Sequence, residues 1–146
     1  MANYRKTRKL KPTEAAYLAG LIDGEGTVTL TRKHKNEFRQ LAVTISSTER
    51  YLLEDVLAMT NAGKITRKRV ASSKHTESWT FAIYNRQALC LLEQIRPFLR
   101  TYKKIRADLI LRNYLRLTPR NGKYSQSQLA EKKLCERRLL DVKANQ

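Results

Sequence analysis

Hydrophobic periodicity changes character at Gly26, and no single-period fold accommodates that change. From Glu14 to Gly24 the apolar residues run almost unbroken, and the segment reads as a short helix behind Pro12, with Thr13 as the expected N-cap and Glu14 well placed in the first turn. After Gly26 they alternate. Val28 and Leu30 fall on one side and Thr27, Thr29, Thr31 and Lys33 on the other; Leu41, Val43 and Ile45 then alternate against Gln40, Ala42 and Thr44. The polar stretch from His34 to Glu37 reads as a hairpin loop between them. Two such segments form an antiparallel ribbon with one wet face.

The same grammar recurs downstream. A helix is expected over Glu49–Thr60, N-capped by Thr48 and burying Leu52, Leu53, Val56 and Leu57. Gly63 opens a second hairpin with strands near Lys64–Val70 and Glu77–Tyr84. There Trp79, read as core, Phe81 and Ile83 point one way, and Thr80 and Ala82 the other. Helices follow over Arg86–Ile95 and Lys103–Leu117, punctuated by Pro97, and a Ser125–Gln128 capping box starts a last helix reaching about Val142. The order αββαββα plus C-terminal helices predicts an α+β domain, a four-stranded antiparallel saddle-like sheet with helices on one face. Residues 1–146 read as one domain, with a core at about 13–118 and a helical extension over 119–146.

Composition bounds this picture. An apolar fraction of 41% is enough for a core. The longest apolar run, Ala15–Ile22, is eight residues and includes Gly20, far short of the about 20 that a membrane span needs. No membrane partner is expected. The basic N-terminus lacks the apolar segment of a secretion signal, so a non-secreted protein is expected, in the cytoplasm or nucleoid of a bacterium or phage host, or in an organellar matrix. Cys90 and Cys135 match no disulfide framework or zinc spacing and read as small core residues.

Lys and Arg number 30 against 13 Asp and Glu, a net charge of +17. Such an excess repels itself in a compact domain unless a polyanion is the usual partner. The cations are spread over RKTRK (5–9), KITRKR (64–69) and YKKIR (102–106), unlike the single basic face of a membrane-surface helix. Nucleic acid fits; on charge alone a ribosome-type basic protein is the alternative. The polar parity of the two hairpins then becomes the candidate nucleic-acid surface: Thr29, Thr31, Lys33, Gln40, Thr44, Lys64, Thr66, Lys68 and Thr80. An eight-residue strand spans about 27 Å, or about 8 base-pair steps, and a two-stranded ribbon fits a major groove about 12 Å wide. Arg67 and Arg69 lie on the other parity and suit phosphate contact or cover of the helices. His34 and His75, at hairpin tips, suit phosphates better than metal.

One stretch breaks the rules of an ordinary helix: Leu18-Ala19-Gly20-Leu21-Ile22-Asp23-Gly24-Glu25-Gly26. Ala16, Gly20 and Gly24 share one helical face. Small residues at that spacing let a second backbone approach closely, at a helix-propensity cost of about 1 kcal/mol per glycine. Asp23 and Glu25 then sit at the helix C-terminus, where the dipole disfavours anions. A divalent cation would compensate, because carboxylates and terminal carbonyls are hard oxygen ligands.

This stretch resembles the defining motif of the LAGLIDADG homing endonucleases. Seven of nine positions agree, with Gly24 and Glu25 standing for Ala and Asp. The resemblance extends over about residues 14–118. It implies that motif helices of two copies pack together, with Ala16, Gly20 and Gly24 at the dimer interface, and that Glu25 and the Gly24 carbonyl bind the catalytic metal. That metal would be Mg²⁺, with Mn²⁺ able to substitute. Asp23 would cap or orient the turn. One motif copy implies a homodimer on a partly palindromic DNA site, each half-site on the order of one helical turn. Arg106-Ala107 stands where the family has Gln-Ala, which makes Lys103 the match to its catalytic lysine, with Lys104 as the substitute. Ser47 takes the place of the usual water-positioning Gln after the second strand, with Arg50 one turn on.

Three functions follow as expectations. The first is a site-specific double-strand DNA endonuclease that hydrolyses phosphodiesters with Glu25, Lys103 and Ser47. The second is an intron maturase, an RNA-binding splicing cofactor on the same fold whose partner is intron RNA. The third is a non-catalytic DNA-binding regulator, which the retained Glu25 argues against.

Overall fold

The computed structural model of the chain describes residues 6–68, 76–119 and 121–144. Helix α1 spans Pro12–Glu25. Pro12 occupies the first helical position, where its missing N–H costs nothing. The Glu14 carboxylate reaches back to accept the Lys11 N–H at 3.0 Å, so the helix starts before Thr13, which lies inside it rather than capping it. The Lys11 N–H, helped by the Arg8 guanidinium and opposed by partial burial, holds the Glu14 carboxyl below the usual range.

Strand β1 (Gly26–Thr31) follows α1 without a linker. Gly26 is needed there for closeness: a Cβ on it would lie 2.7 Å from the Ile22 Cα. Strand β2 (Gln40–Ser47) returns antiparallel, with Val28 opposite Val43 and Thr27 opposite Thr44. Lys33 falls in the loop beyond the end of β1 rather than in the strand. Helix α2 (Arg50–Thr60) is entered through Ser47, whose Oγ accepts the Glu49 N–H at 2.9 Å; Thr48 is not the cap. It ends on Asn61 in the left-handed region (φ 51), a conformation asparagine tolerates. Gly63, at φ +89, then turns the chain so tightly that a Cβ would come within 2.7 Å of the Ala82 carbonyl.

Strands β3 (Lys64–Arg67) and β4 (Trp79–Tyr84) form the second ribbon. The expected extension of β3 over Arg69 and Val70, and the loop bearing His75, lie outside the described residues. The sheet order is β1-β2-β4-β3, antiparallel throughout. Helix α3 (Asn85–Ile95), a 3₁₀ turn (Arg96–Phe98), α4 (Tyr102–Asn113) and α5 (Gln126–Asp141) complete the chain. Helix α4 ends four residues before the expected Leu117. There the Asn113 amide donates to the Leu109 carbonyl at 2.9 Å and competes with the backbone ladder. The Ser125–Gln128 capping box opens α5 as expected.

Packing follows parity. Val28, Leu41, Val43, Ile45, Phe81 and Ile83 are buried together against Leu18 and Ile22 of α1, Leu53 and Val56 of α2, and Leu92 and Ile95 of α3. Leu139 of α5 joins the same core, so the C-terminal helix packs on the domain, against α4 and β1. Cys90 and Cys135 are free and half-buried, and burial raises the Cys135 thiol above its usual range.

Candidate active site and nucleic-acid interface

A helix leaves its last carbonyls unpaired, and the end of α1 satisfies them unevenly. Gly26 N–H returns to the Ile22 carbonyl. Lys103, from the first turn of α4, donates its Nζ to Ile22 O at 2.7 Å and to Asp23 O at 2.9 Å. It is 7% exposed. A cation on the negative end of the dipole offsets part of its own desolvation. Burial still pushes the Lys103 ammonium below the usual lysine range; Asp23 and Glu25 pull it back up, and Arg106 adds to the fall. Arg106 is itself buried, donating to Val28 O and Val142 O at 2.9 Å each.

Asp23 is spent on the chain. Its Oδ2 accepts the Arg100 N–H at 2.8 Å; its Oδ1 accepts the Thr101 N–H at 3.1 Å and the Thr101 hydroxyl at 2.5 Å. Thr101 caps α4 by accepting the Lys103 N–H at 3.3 Å. Asp23 therefore orients the turn that carries Lys103, the role expected of it. Thr101 and Arg100 are absent from the sequence reading, although a threonine just ahead of a helical run is a cap signal that would have found Thr101.

Glu25 shares with Asp23 the pull on Lys103 but none of its hydrogen bonds. It is exposed, and among the described residues no hydrogen bond or ion pair engages its carboxylate. No group of three or more His, Cys, Asp or Glu gathers among the described residues either. Glu25 with the neighbouring Gly24 carbonyl is a set of hard oxygen donors that suits a divalent cation, and it is too small to fill a coordination shell of six or more. Such a set fits an ion completed by phosphate, water or a second chain. It does not fit a closed structural metal site.

The remaining site candidates take no part in these hydrogen bonds. Ser47 ends β2 on the apolar parity, paired with Trp79; it makes no hydrogen bond to Glu25 or Lys103. Lys104 is half-buried beside Lys103. Arg50 pairs with Glu54 at 3.1 Å and lies 6.0 Å over the half-buried Trp79 ring.

Helix α1 is apolar on two sides. Ala15, Leu18, Ala19 and Ile22 face the core, while Ala16, Gly20 and Gly24 are exposed on another face beside Tyr17, itself 49% exposed. A Cβ built on Gly20 or Gly24 meets nothing within 4 Å. Nothing inside the chain therefore asks for glycine at either position.

The polar sheet face is assembled as the alternation requires. Across the sheet Thr27, Thr44, Ala82 and Lys64 stand in one row, and Ser46, Thr80 and Thr66 in the next. Thr29 pairs with Ala42 and Thr31 with Gln40. Lys68, just past β3, donates its N–H to Ser78 O at 2.9 Å and is exposed. Register adds Ser46 and Tyr84 to this face, where Thr27 already stood by alternation. Ser46 and Thr80 share a 2.8 Å hydrogen bond. His34 is exposed, its ring 4.0 Å from Glu37.

Comparison with known proteins agrees with this geometry. No curated protein matches the sequence. In three dimensions the chain is similar to the homing endonuclease I-CvuI, solved with its DNA target (TM-score 0.75, 19% identity, 92% of this chain and 85% of that one). It is also similar to the archaeal intron-encoded homing endonuclease I-Vdi141I complexed with DNA (TM-score 0.70, 17% identity, 92% and 86%). A third is the group I intron-encoded I-CeuI complexed with DNA (TM-score 0.67, 16% identity, 90% and 68%). The model of the LAGLIDADG-like domain matches residues 12–103, well over half of the chain. Motif, fold and family model coincide on one helix and one sheet, and the chain belongs to the LAGLIDADG family of endonucleases.

Proposed function

We propose that the protein is a site-specific double-strand DNA endonuclease that works as a homodimer with a divalent metal, Mg²⁺ or Mn²⁺ in its place. The observation that carries this reading is Glu25: an exposed, unengaged carboxylate at the tip of a helix whose outer face is small and bare. Two copies of α1 packed along Ala16, Gly20 and Gly24 would set one Glu25 beside each scissile strand near a two-fold axis. Glu25 and the Gly24 carbonyl would hold the ion, which when bound supplies Lewis acidity, an acidified water and charge neutralisation at the phosphate.

The chain's own groups do the rest. Lys103 holds the end of α1 through two carbonyls and places a positive charge next to Glu25, where it opposes the charge that builds on phosphorus. Ser47 uses an oxygen lone pair on Glu49 and keeps its hydroxyl proton to orient a water. The polar sheet face, with Thr29, Thr31, Gln40, Thr44, Lys64, Thr66 and Thr80, lies in the major groove, and Lys33 and Lys68 meet the flanks. The DNA-bound structures of similar fold support this docking. No feature of the structure favours an RNA-binding maturase over the nuclease.

The test is Glu25→Gln. Cleavage of the target by this variant in Mg²⁺ is expected to fall at least about 10²-fold while DNA binding survives, and a chelator is expected to do the same to the unaltered protein. Full cleavage by Glu25→Gln overturns the mechanism.

A further inference from the structure

Three cations are buried among the described residues: Lys103, Arg106 and Lys132. The first two lie at the candidate active site. Lys132 does not. It sits on α5, 8% exposed, and donates its Nζ to Leu117 O at 3.2 Å and to the Tyr124 hydroxyl at 2.8 Å. The same Nζ stands 4.9 Å from the ring centroids of both Phe38 and Tyr124, whose rings are 5.0 Å apart. No carboxylate pairs with it among the described residues.

A buried ammonium without a counter-ion is costly, and a methionine would fill the same volume without that cost. What the ammonium does and methionine cannot is donate to Leu117 O and the Tyr124 hydroxyl and, on the side of the β1–β2 loop, bind the ring of Phe38. Phe38 belongs to that loop, where Arg32, Lys33, His34, Lys35 and Arg39 stand against a single Glu37. Phe38 is 46% exposed, so burial does not hold this loop in place.

We propose that Lys132 is a positioning residue for DNA recognition. Through Phe38 it ties the basic β1–β2 loop to the C-terminal helix and aims Lys33 and its neighbours at the outer end of each half-site. The inference rests on the endonuclease reading, and it makes α5 part of the specificity apparatus.

The test compares Lys132→Met with Lys132→Arg, which keeps the cation. In the DNA-free protein, amide hydrogen exchange over residues 33–37 is expected to rise about tenfold in Lys132→Met and to stay near the unaltered rate in Lys132→Arg. On a DNA target substituted one base pair at a time, Lys132→Met is expected to lose about tenfold in kcat/KM discrimination at the outer positions, with inner discrimination and the saturating rate within about twofold. Phe38→Leu, at a half-exposed position, is expected to give the same outer loss, and the double variant to add nothing further. Unchanged exchange, unchanged outer discrimination, or equal loss at inner and outer positions overturns the proposal, and should Lys132→Met not fold, Phe38→Leu decides by the same readings. If the unaltered protein cuts no DNA, the nuclease reading is lost and the recognition role with it, while exchange still shows whether the tether exists.

Discussion

Two carboxylates two positions apart, Asp23 and Glu25, have opposite fates because only one of them faces N–H and O–H donors. Asp23 meets three, on Arg100 and Thr101, and so becomes the clamp between α1 and α4. An ionised carboxylate accepts at both oxygens, whereas an amide turns one of them into a donor. Asp23→Asn therefore sets an NH₂ group against a hydrogen-bond donor. The clamp is partly solvated, so the expected loss is about 1–2 kcal/mol, or about 3–6 °C in Tm by calorimetry. Because the clamped turn carries Lys103, the cleavage rate at saturating DNA is expected to fall about tenfold, against the 10² or more expected at Glu25 itself. An unchanged Tm would show that these hydrogen bonds are not made in solution.

At the scale of elements, α1 is the informative one. A surface helix hides one stripe and wets the other, but α1 buries Leu18, Ala19 and Ile22 and leaves Ala16, Gly20 and Gly24 bare. In a lone chain Gly20 is a pure loss, since alanine there would be about 1 kcal/mol more helical and would meet no atom. Gly20→Leu separates the two situations. The chain is expected to fold at least as well, to sediment as a monomer, and to lose double-strand cutting by about 10²-fold or more, because each protomer holds one Glu25. A dimer that still cuts both strands would exclude this face. Much of this was legible beforehand. Periodicity, caps and chain breakers placed the four strands and the five α-helices, and the small-residue spacing singled out the bare face. What stayed hidden depends on contacts distant in sequence. Lys103 lies 81 residues from the Ile22 carbonyl it binds, and no local pattern announces such a bond. Thr13 and Thr48 misled as caps because α1 is capped at Lys11, two positions earlier, and α2 at Glu49, one position later, whose N–H goes to the Ser47 hydroxyl. Asn113, an ordinary polar residue by pattern, shortened α4 through its own side chain.

For the whole molecule the distribution of charge matters more than its sum. None of the 13 acidic residues lies in a β-strand; all are in helices, turns or loops. The polar sheet face, with Lys64 on it and the basic β1–β2 loop at its end, therefore carries a positive potential that no carboxylate on the strands offsets. No described helix is long and apolar enough to cross a membrane, and a duplex laid on that face would displace its own counterions in proportion to the phosphates neutralised. A dimer meeting about 6–10 phosphates should show log Kobs falling against log salt with a slope of about −5 to −9. Replacing Lys64 with Gln makes that slope a count of chains. If Lys64 meets a phosphate, the slope should shrink by about 0.9 for each chain bound, hence by about 1.8 for a dimer and about 0.9 for a monomer, and target and unrelated DNA should weaken alike. If it reads a base, the loss should be confined to the target and cost about 1–3 kcal/mol per half-site. A slope near zero for the unaltered protein would mean that the positive face is not where DNA binds, because no duplex can be held there without releasing the ions around its phosphates.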